Sequence, residues 1–270
     1  MTPRMPWSAR LGLALTLLFA LLALVGPWIA PYDEARVVGE VWEPFSRAHP
    51  LGTDHLGRDM LSRMLYGARR TIGIALAATC LSFVLGTTLG YLAATLGGWV
   101  DAVLSRVVDT LMSIPTLIFA LVVLAVLPPS VTVLILVMAV LDSTRVFRLA
   151  RAVAMDVVVL EFVEAARLRG EGLGWIVLRE IGPNTLPPLL AEFGMRFCFA
   201  ILFLSSLSFL GLGIQPPAAD WGGMVRDNAN AIAFGLPVPL VPAAAIALLT
   251  VAVNLVVDWQ LRRATAGRGA

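Results

Sequence analysis

Residues 110–141 read TLMSIPTLIFALVVLAVLPPSVTVLILVMAVL, a run without a single Asp, Glu or Arg. The run is too long for one upright helix across a hydrocarbon core of about 30 Å and too short for two full crossings. Pro128-Pro129-Ser130 inside it reads as a turn, because a residue that precedes proline is pushed out of the helical region. Two helices meeting there must borrow residues back toward Val103 and forward toward Phe147. That places Arg106, Asp109, Asp142 and Arg145 at helix ends, where long side chains can snorkel to the interface. Whether this stretch is one crossing or two decides between a five-span and a six-span chain.

Four more runs lack Asp, Glu and Arg, over residues 11–32, 71–100, 197–219 and 228–257, and each is long enough to cross a bilayer. With 59% apolar residues, 14% charged residues and a mean hydropathy of +0.85, the 270-residue chain is a membrane protein. Six spans leave roughly 150 residues, too few for a separate enzymatic domain. The first run could be a signal peptide, but its exit Trp28-Ile29-Ala30-Pro31 offers no A-x-A site, and residues 11–30 are read as a retained helix. All 20 basic residues are Arg, so there is no Walker A lysine, Schiff-base lysine or Ser-Lys dyad. His49 and His55 share one polar loop, which leaves no zinc helix, and a net charge of +2 gives no nucleic-acid footprint. Cys80 and Cys198 read as small core hydrophobes.

Charge counting does not resolve the span number. Six spans with the N-terminus inside put thirteen arginines inside and seven outside, whereas five spans with the N-terminus outside put sixteen inside and four outside. The positive-inside rule prefers the second. Both arrangements place residues 142–196 and the tail Arg262-Arg263 in the cytoplasm. That segment carries a short Ala, Glu and Arg-rich helix from Glu161 to Leu168, with Glu164 and Leu168 on one face at i and i+4. Gly170, Gly172 and Gly174 break it, and a second short helix from Trp175 to Glu180 is expected to end before Pro183. A solvated connector and a docking element are both compatible with this shape.

Glu164-Ala165-Ala166, Gly170, Trp175 to Arg179, Ile181 and Pro183-Asn184 resemble the EAA loop of ABC-importer membrane subunits, in the version of the dipeptide, oligopeptide and nickel permeases. Two further stretches resemble the same branch. One is His49-Pro50-Leu51-Gly52-Thr53-Asp54-His55-Leu56-Gly57-Arg58-Asp59 with Ser62-Arg63 and Gly67-Ala68-Arg69, and the other is Leu207-Ser208-Phe209-Leu210-Gly211-Leu212-Gly213 with Pro216-Pro217 and Trp221-Gly222. The resemblance, to the second or C-type permease of such a pair, runs from about residue 10 to residue 258. It implies an all-α membrane protein with six transmembrane helices, the type I importer transmembrane fold and both termini cytoplasmic. Residues 1–30 are then the N-terminus and first span, and 31–70 an extracytoplasmic loop with an interfacial helix. Residues 71–260 are the core permease with the coupling loop at 150–195, and 261–270 the cytoplasmic tail.

The resemblance also implies partners: a homologous permease, two ATPases that bind ATP and Mg themselves, and an extracytoplasmic solute-binding protein, all in a bacterial or archaeal plasma membrane. The chain itself implies no cofactor and no catalytic residue. Coupling to the ATPases falls on Glu161, Glu164, Ala165, Ala166, Gly170, Trp175, Arg179, Pro183 and Asn184. This sequence departs from the family with Arg169 in place of Leu, Glu180 in place of His and Gly182 in place of Leu. An anion at Glu180 calls for a compensating cation on the partner ATPase.

Met60, Leu61, Met64, Leu65 and Ala68 read as the apolar face of an interfacial helix, with Arg58, Arg63, Arg69 and Arg70 toward lipid phosphates or a partner. Gly52, Asp54, Gly57, Arg58, Asp59, Arg63 and, from the outer loop beginning at Gly211, Trp221 are the candidate seat of the solute-binding protein. A metal site from His49, Asp54, His55 and Asp59 is the alternative reading of that loop. Ser113, Pro115 and Ser208 are candidate path-lining residues, and Gly86-x-x-x-Gly90 reads first as intrachain packing. No ionisable residue is expected in the middle of a span, so energy must come from outside the chain. An intramembrane enzyme lacks a buried base beside Ser205, Ser206 or Ser208. An ATP-independent channel or scaffold has no reason for an EAA loop. Short peptides are the implied cargo, with nickel, glutathione-like and opine-like solutes open.

Overall fold

In the computed structural model, which describes residues 5–266, all regular elements are helical. Four helical runs are long and apolar enough to cross a membrane. They are α1 (Trp7–Ile29), α2 (Met60–Leu96), the run Leu173–Phe209 and the greater part of α10 (Leu240–Ala266). The run Leu173–Phe209 comprises α7 (Leu173–Trp175), a π-helical segment (Ile176–Ile181) and α8 (Gly182–Phe209). A bent pair, α3 (Gly98–Ser113) and α4 (Thr116–Val126), makes a fifth crossing if counted as one, with 87° between its halves. The break falls at Ser113-Ile114-Pro115, where proline removes a helical hydrogen bond.

The turn expected at Pro128-Pro129-Ser130 is present: α4 stops before it and α5 (Val131–Val158) starts after it, capped by Ser130 Oγ accepting from Val133 N at 3.2 Å. Beyond that turn the reading needs correction. Asp142 and Arg145 do not sit at a helix end, because α5 continues eleven residues past Phe147 to Val158. Nor do residues 142–196 form one polar insertion. The connector proper is short: α6 (Glu161–Leu168) and the glycine turn after it.

Within lipid there is little hydrophobic gain from helix contact, so close packing of small side chains does the work. The main seam joins α2 to α5. Ala78, Ser82, Gly86 and Gly90 recur every fourth residue on α2 and are buried, with Gly86 against Ser143 and Val146 and Gly90 against Phe147 and Ala150 of α5. A Cβ at Gly86 would lie 2.6 Å from Val146 Cβ, and one at Gly90 2.9 Å from Ala150 Cβ. The glycine pair is therefore an intrachain contact. α1 packs against α10 and α2 and leaves Leu11, Leu17, Leu21 and Leu24 exposed. Cys198 is buried as expected, but Cys80 faces outward.

Residues 60–70 do not make a separate interfacial helix. They are the first turns of the 37-residue α2, whose N-terminus is capped by Asp59 accepting from Ser62 N at 2.8 Å. On the opposite flank of this region lie α9 (Trp221–Asp227) and a 3-10 turn (Ala229–Phe234).

Candidate functional site

Two regions collect the residues singled out by sequence. The first is the helix, glycine turn and helix at residues 161–184. Glu161 and Glu164 lie in the first turn of α6 and Arg167 in its last, charges placed to suit the helix dipole. Val163 and Ala166 are buried on a small core with Ala154, Val157, Ile176 and Ile181. The remaining face, Glu161, Glu164, Ala165, Arg167 and Leu168, is exposed, and Leu168 is 83% exposed. Gly170 closes the helix in a left-handed conformation at φ +82°. Its N–H donates to Arg167 O at 3.0 Å, and Glu171 N to Ala166 O at 3.2 Å, the paired bonds of a Schellman ending that favours glycine there.

The second limb differs from the reading. It does not end before Pro183, which follows closely on a widened, π-helical stretch of a continuing helix. The π-helical segment Ile176–Ile181 precedes it, and helix runs unbroken from Leu173 to Phe209. Trp175 is half-buried on the small core, Arg179 and Pro183 are exposed, and Asn184 Nδ2 donates to Glu180 O at 2.6 Å. Thr185, buried on the same limb, meets the Tyr91 hydroxyl of α2 at 2.6 Å. Within the chain, Arg169 Nη2 is 4.0 Å from Glu180 Oε1.

The second region is the outer cap, residues 31–59 together with the Gly211–Phe234 segment. Asp54 is its centre: it takes Arg58 Nε at 2.7 Å and Arg63 Nε at 3.2 Å, and accepts from Leu56 N and Arg58 N. Arg58 and Arg63 are 5% and 3% exposed, so they serve this internal network and do not face lipid phosphates. Arg69 stacks over Trp28, and Arg70 pairs with Glu34, whose carboxylate also accepts from Ala219 N at 2.8 Å. His49 Nδ1 lies 3.1 Å from Asp59 Oδ1, and the Asp59 carboxylate also caps α2; the four residues of the alternative metal reading do not converge as a ligand group among the described residues. Gly52 and Gly57 take φ +73° and +75° to turn the loop.

Trp221 is 1% exposed, with its indole N–H donating to Met64 O at 3.1 Å and its ring against Gly67 and Phe19. The seven outer residues proposed from sequence are thus buried and hold the cap together. The surface they support was missed: Val37, Val41, Phe45, Leu56, Ile232 and Phe234 are apolar and exposed. Their scatter along the chain gave no periodic signal. Asn228 stitches the two halves, its Oδ1 accepting from His55 N at 2.9 Å and from Trp42 Nε1 at 3.3 Å. Burial holds the His55 pKa below its usual value despite nearby Asp54 and Asp227, and burial raises that of Asp220.

Of the path-lining candidates, Ser113 and Pro115 are exposed at the break between α3 and α4, with Ser113 Oγ donating to Thr110 O at 2.7 Å. Ser208 is 1% exposed and packed beneath Gly213.

Comparison with known proteins adds a family to this geometry. Residues 86–266 match the family described as binding-protein-dependent transport system inner membrane component, and residues 7–47 match the N-terminal TM domain of oligopeptide transport permease C. The chain is 34% identical over 254 residues to the di/tripeptide transport system permease protein DppC of Pseudomonas aeruginosa, covering 92% of this chain and 84% of that protein. It is 36% identical over 258 residues to the dipeptide transport system permease protein DppC of Escherichia coli K12, covering 93% and 86%. The similarity to the dipeptide permease of Haemophilus influenzae is 33% over 258 residues, covering 93% and 88%.

Proposed function

The chain belongs to the binding-protein-dependent transport system inner membrane components, a permease subunit and not the ATPase, and on that premise we propose that it is the C-type permease of a peptide importer. It pairs with a homologous permease, two ATPases grip residues 161–184, and a solute-binding protein delivers short peptides to the outer cap. α1, α2, the α3–α4 pair, α5, the run Leu173–Phe209 and α10 are its six crossings, with both termini in the cytoplasm. The outer loop is then 31–70, the core permease 71–260 with its coupling loop at 150–195, and the tail 261–270. Composition alone does not mark α5 as a span because Asp142, Arg145 and Arg148 interrupt it, but α5 begins at the same turn where α4 ends.

What carries the reading is the construction of residues 161–209. ATP-driven closure of a partner moves a small element, and that motion reaches the path only through a stiff connection. Here the exposed α6 is cemented by Val163 and Ala166 to Ile176 and Ile181, which begin the helix that crosses to Phe209. The relatives named for dipeptide transport support peptide cargo.

The test is a gentle-detergent pull-down of the tagged chain from its host, beside Leu168→Asp and a deletion of residues 161–184. Co-purification of a second permease and two ATPases, with loss of the ATPases alone in Leu168→Asp, is the expected result. An intact chain that comes down alone or as a homo-oligomer would overturn it.

A further inference from the structure

Four charged side chains meet at mid-height of the helices. Asp142 and Arg145 lie about 17 and 21 Å down α5 from Val131, and Arg196 about 20 Å down α8 from Phe209. Thr79, which lines the same cavity as Asp142 and Arg145, is about 14 Å along α2 from Arg70. With a hydrocarbon core of about 30 Å starting near Arg70, Val131 and Phe209, the group lies close to the bilayer midplane. This replaces the expectation that no span carries an ionisable residue at its centre. Such groups are costly in lipid and persist where they pair or serve a passage.

The pairing is uneven. Arg196 takes both acids, Glu192 at 2.6 Å and Asp142 at 3.4 Å. Arg145 makes neither an ion pair nor a hydrogen bond among the described residues; it is half-buried and lies 4.6 Å over the Phe199 ring. Asp142 Oδ2 is buried with no hydrogen-bond partner. Arg145 and Asp142 line a crevice of about 10 Å³ with Thr79, Thr116 and Phe203, beside the break between α3 and α4, so a ligand reaches Arg145 from its exposed side and not through this crevice. Arg196 makes both ion pairs of the cluster, and Arg145 balances the second carboxylate's charge from a distance while its own N–H donors stay unspent among the described residues.

We infer that Arg145 is a carboxylate-binding station in the translocation path, which takes the C-terminal carboxylate of a short peptide in transit. The assignment rests on the peptide-importer reading above. A guanidinium offers a planar fork of donors that matches a carboxylate. Asp142, one helical turn back on the same face, tempers its field. That tempering suits a station in a passage, which must bind strongly enough to admit and weakly enough to release. Phe199 holds the guanidinium from beneath without consuming its donors.

The test is uptake of labelled dialanine by the complete transporter in proteoliposomes, with its ATPases and binding protein, for the wild type, Arg145→Gln and Arg145→Lys. Dialanine and its C-terminal amide are each supplied at concentrations that saturate the binding protein, so that the ratio of their rates reports the permease. The expected result is at least a tenfold loss of dialanine uptake in Arg145→Gln, less than threefold in Arg145→Lys, and a fall of at least fivefold in the acid-to-amide ratio in Arg145→Gln. Binding-protein-stimulated ATP hydrolysis is retained in both variants. Uptake unaltered in Arg145→Gln, or lowered alike for acid and amide, would overturn the assignment alone. Absence of any dialanine uptake by the wild type would overturn the peptide reading and the assignment with it.

Discussion

Arg169 and Glu180 face each other across the glycine turn, Nη2 to Oε1 at 4.0 Å, and the same guanidinium lies 5.8 Å over the Trp175 ring. These are two of the positions at which the sequence departs from the family it resembles, one gaining a cation and the other an anion. The pair spans from the end of α6 to the π-helical segment, and it offers Glu180 a counter-charge within the chain.

An ion pair this exposed contributes about 1 kcal/mol at most. Glu180→Arg is therefore expected to lower transport-coupled ATP hydrolysis by up to about fivefold, and the double reversal Arg169→Glu with Glu180→Arg to restore it to within about twofold. A double variant as impaired as the single one would show that Glu180 answers to the partner ATPase instead.

Gly170 has nothing within 4 Å of where a Cβ would stand, so a substitution there is felt through the backbone alone. A β-branched residue at positive φ costs about 1–2 kcal/mol, while asparagine tolerates that region. Gly170→Val should uncouple ATP hydrolysis from uptake with normal membrane levels, Gly170→Asn should stay near the wild type, and Gly170→Asp should fall between. Loss of the inserted protein in Gly170→Val would count against a purely coupling role.

Asp54 answers two buried arginines. Removing one partner of a buried charged group typically costs about 3–5 kcal/mol, because the others are left uncompensated. Asp54→Asn should lower the melting temperature in detergent markedly, and a thermal-shift measurement decides it. The Asp54→Asn, Arg58→Met, Arg63→Met triple variant should recover much of the loss.

How much of this could be read beforehand depends on how local its cause is. The turn at Pro128-Pro129-Ser130 and the ending at Gly170 were legible because each is set by its own residues' backbone preferences. The reach of α5 past Arg145 and Arg148 was not, since Asp101 lies fifty positions from its partner Arg151 and Asp142 fifty-four from Arg196. Charge runs that look like helix ends become helix interiors once distant partners neutralise them. The outer motif misled in the opposite sense. Its polar residues look ready for a visitor, but Asp54, Arg58 and Arg63 are buried and pair with one another, and Asn228, 173 positions from His55, bonds the neighbouring backbone.

His55 gives the outer cap a pH response. Its folded pKa lies below the ordinary 6.5, chiefly through burial, so between those two values the unfolded chain holds more protons than the folded one. Stability from this group is present above pH 6.5 and is lost as pH falls through that value toward the lowered one. The melting temperature should drop between about pH 7.5 and about pH 5.5, and His55→Gln should flatten the slope. A slope that the substitution leaves unchanged would assign it elsewhere.

The helix from Leu173 to Phe209 is one object of 37 residues, about 55 Å from end to end. One end carries Trp175, and the other delivers Ser208 to the turn beneath Gly213, near Asp220, which caps α9. In the proposed assembly, displacement of the Trp175 end by an ATPase reaches the Ser208 end through this one helix, and linkage then makes the coupling reciprocal: by the factor that ATP binding alters the affinity for a delivering protein, that protein's binding alters the affinity for ATP. The π-helical segment and Pro187-Pro188 set how much of the motion arrives.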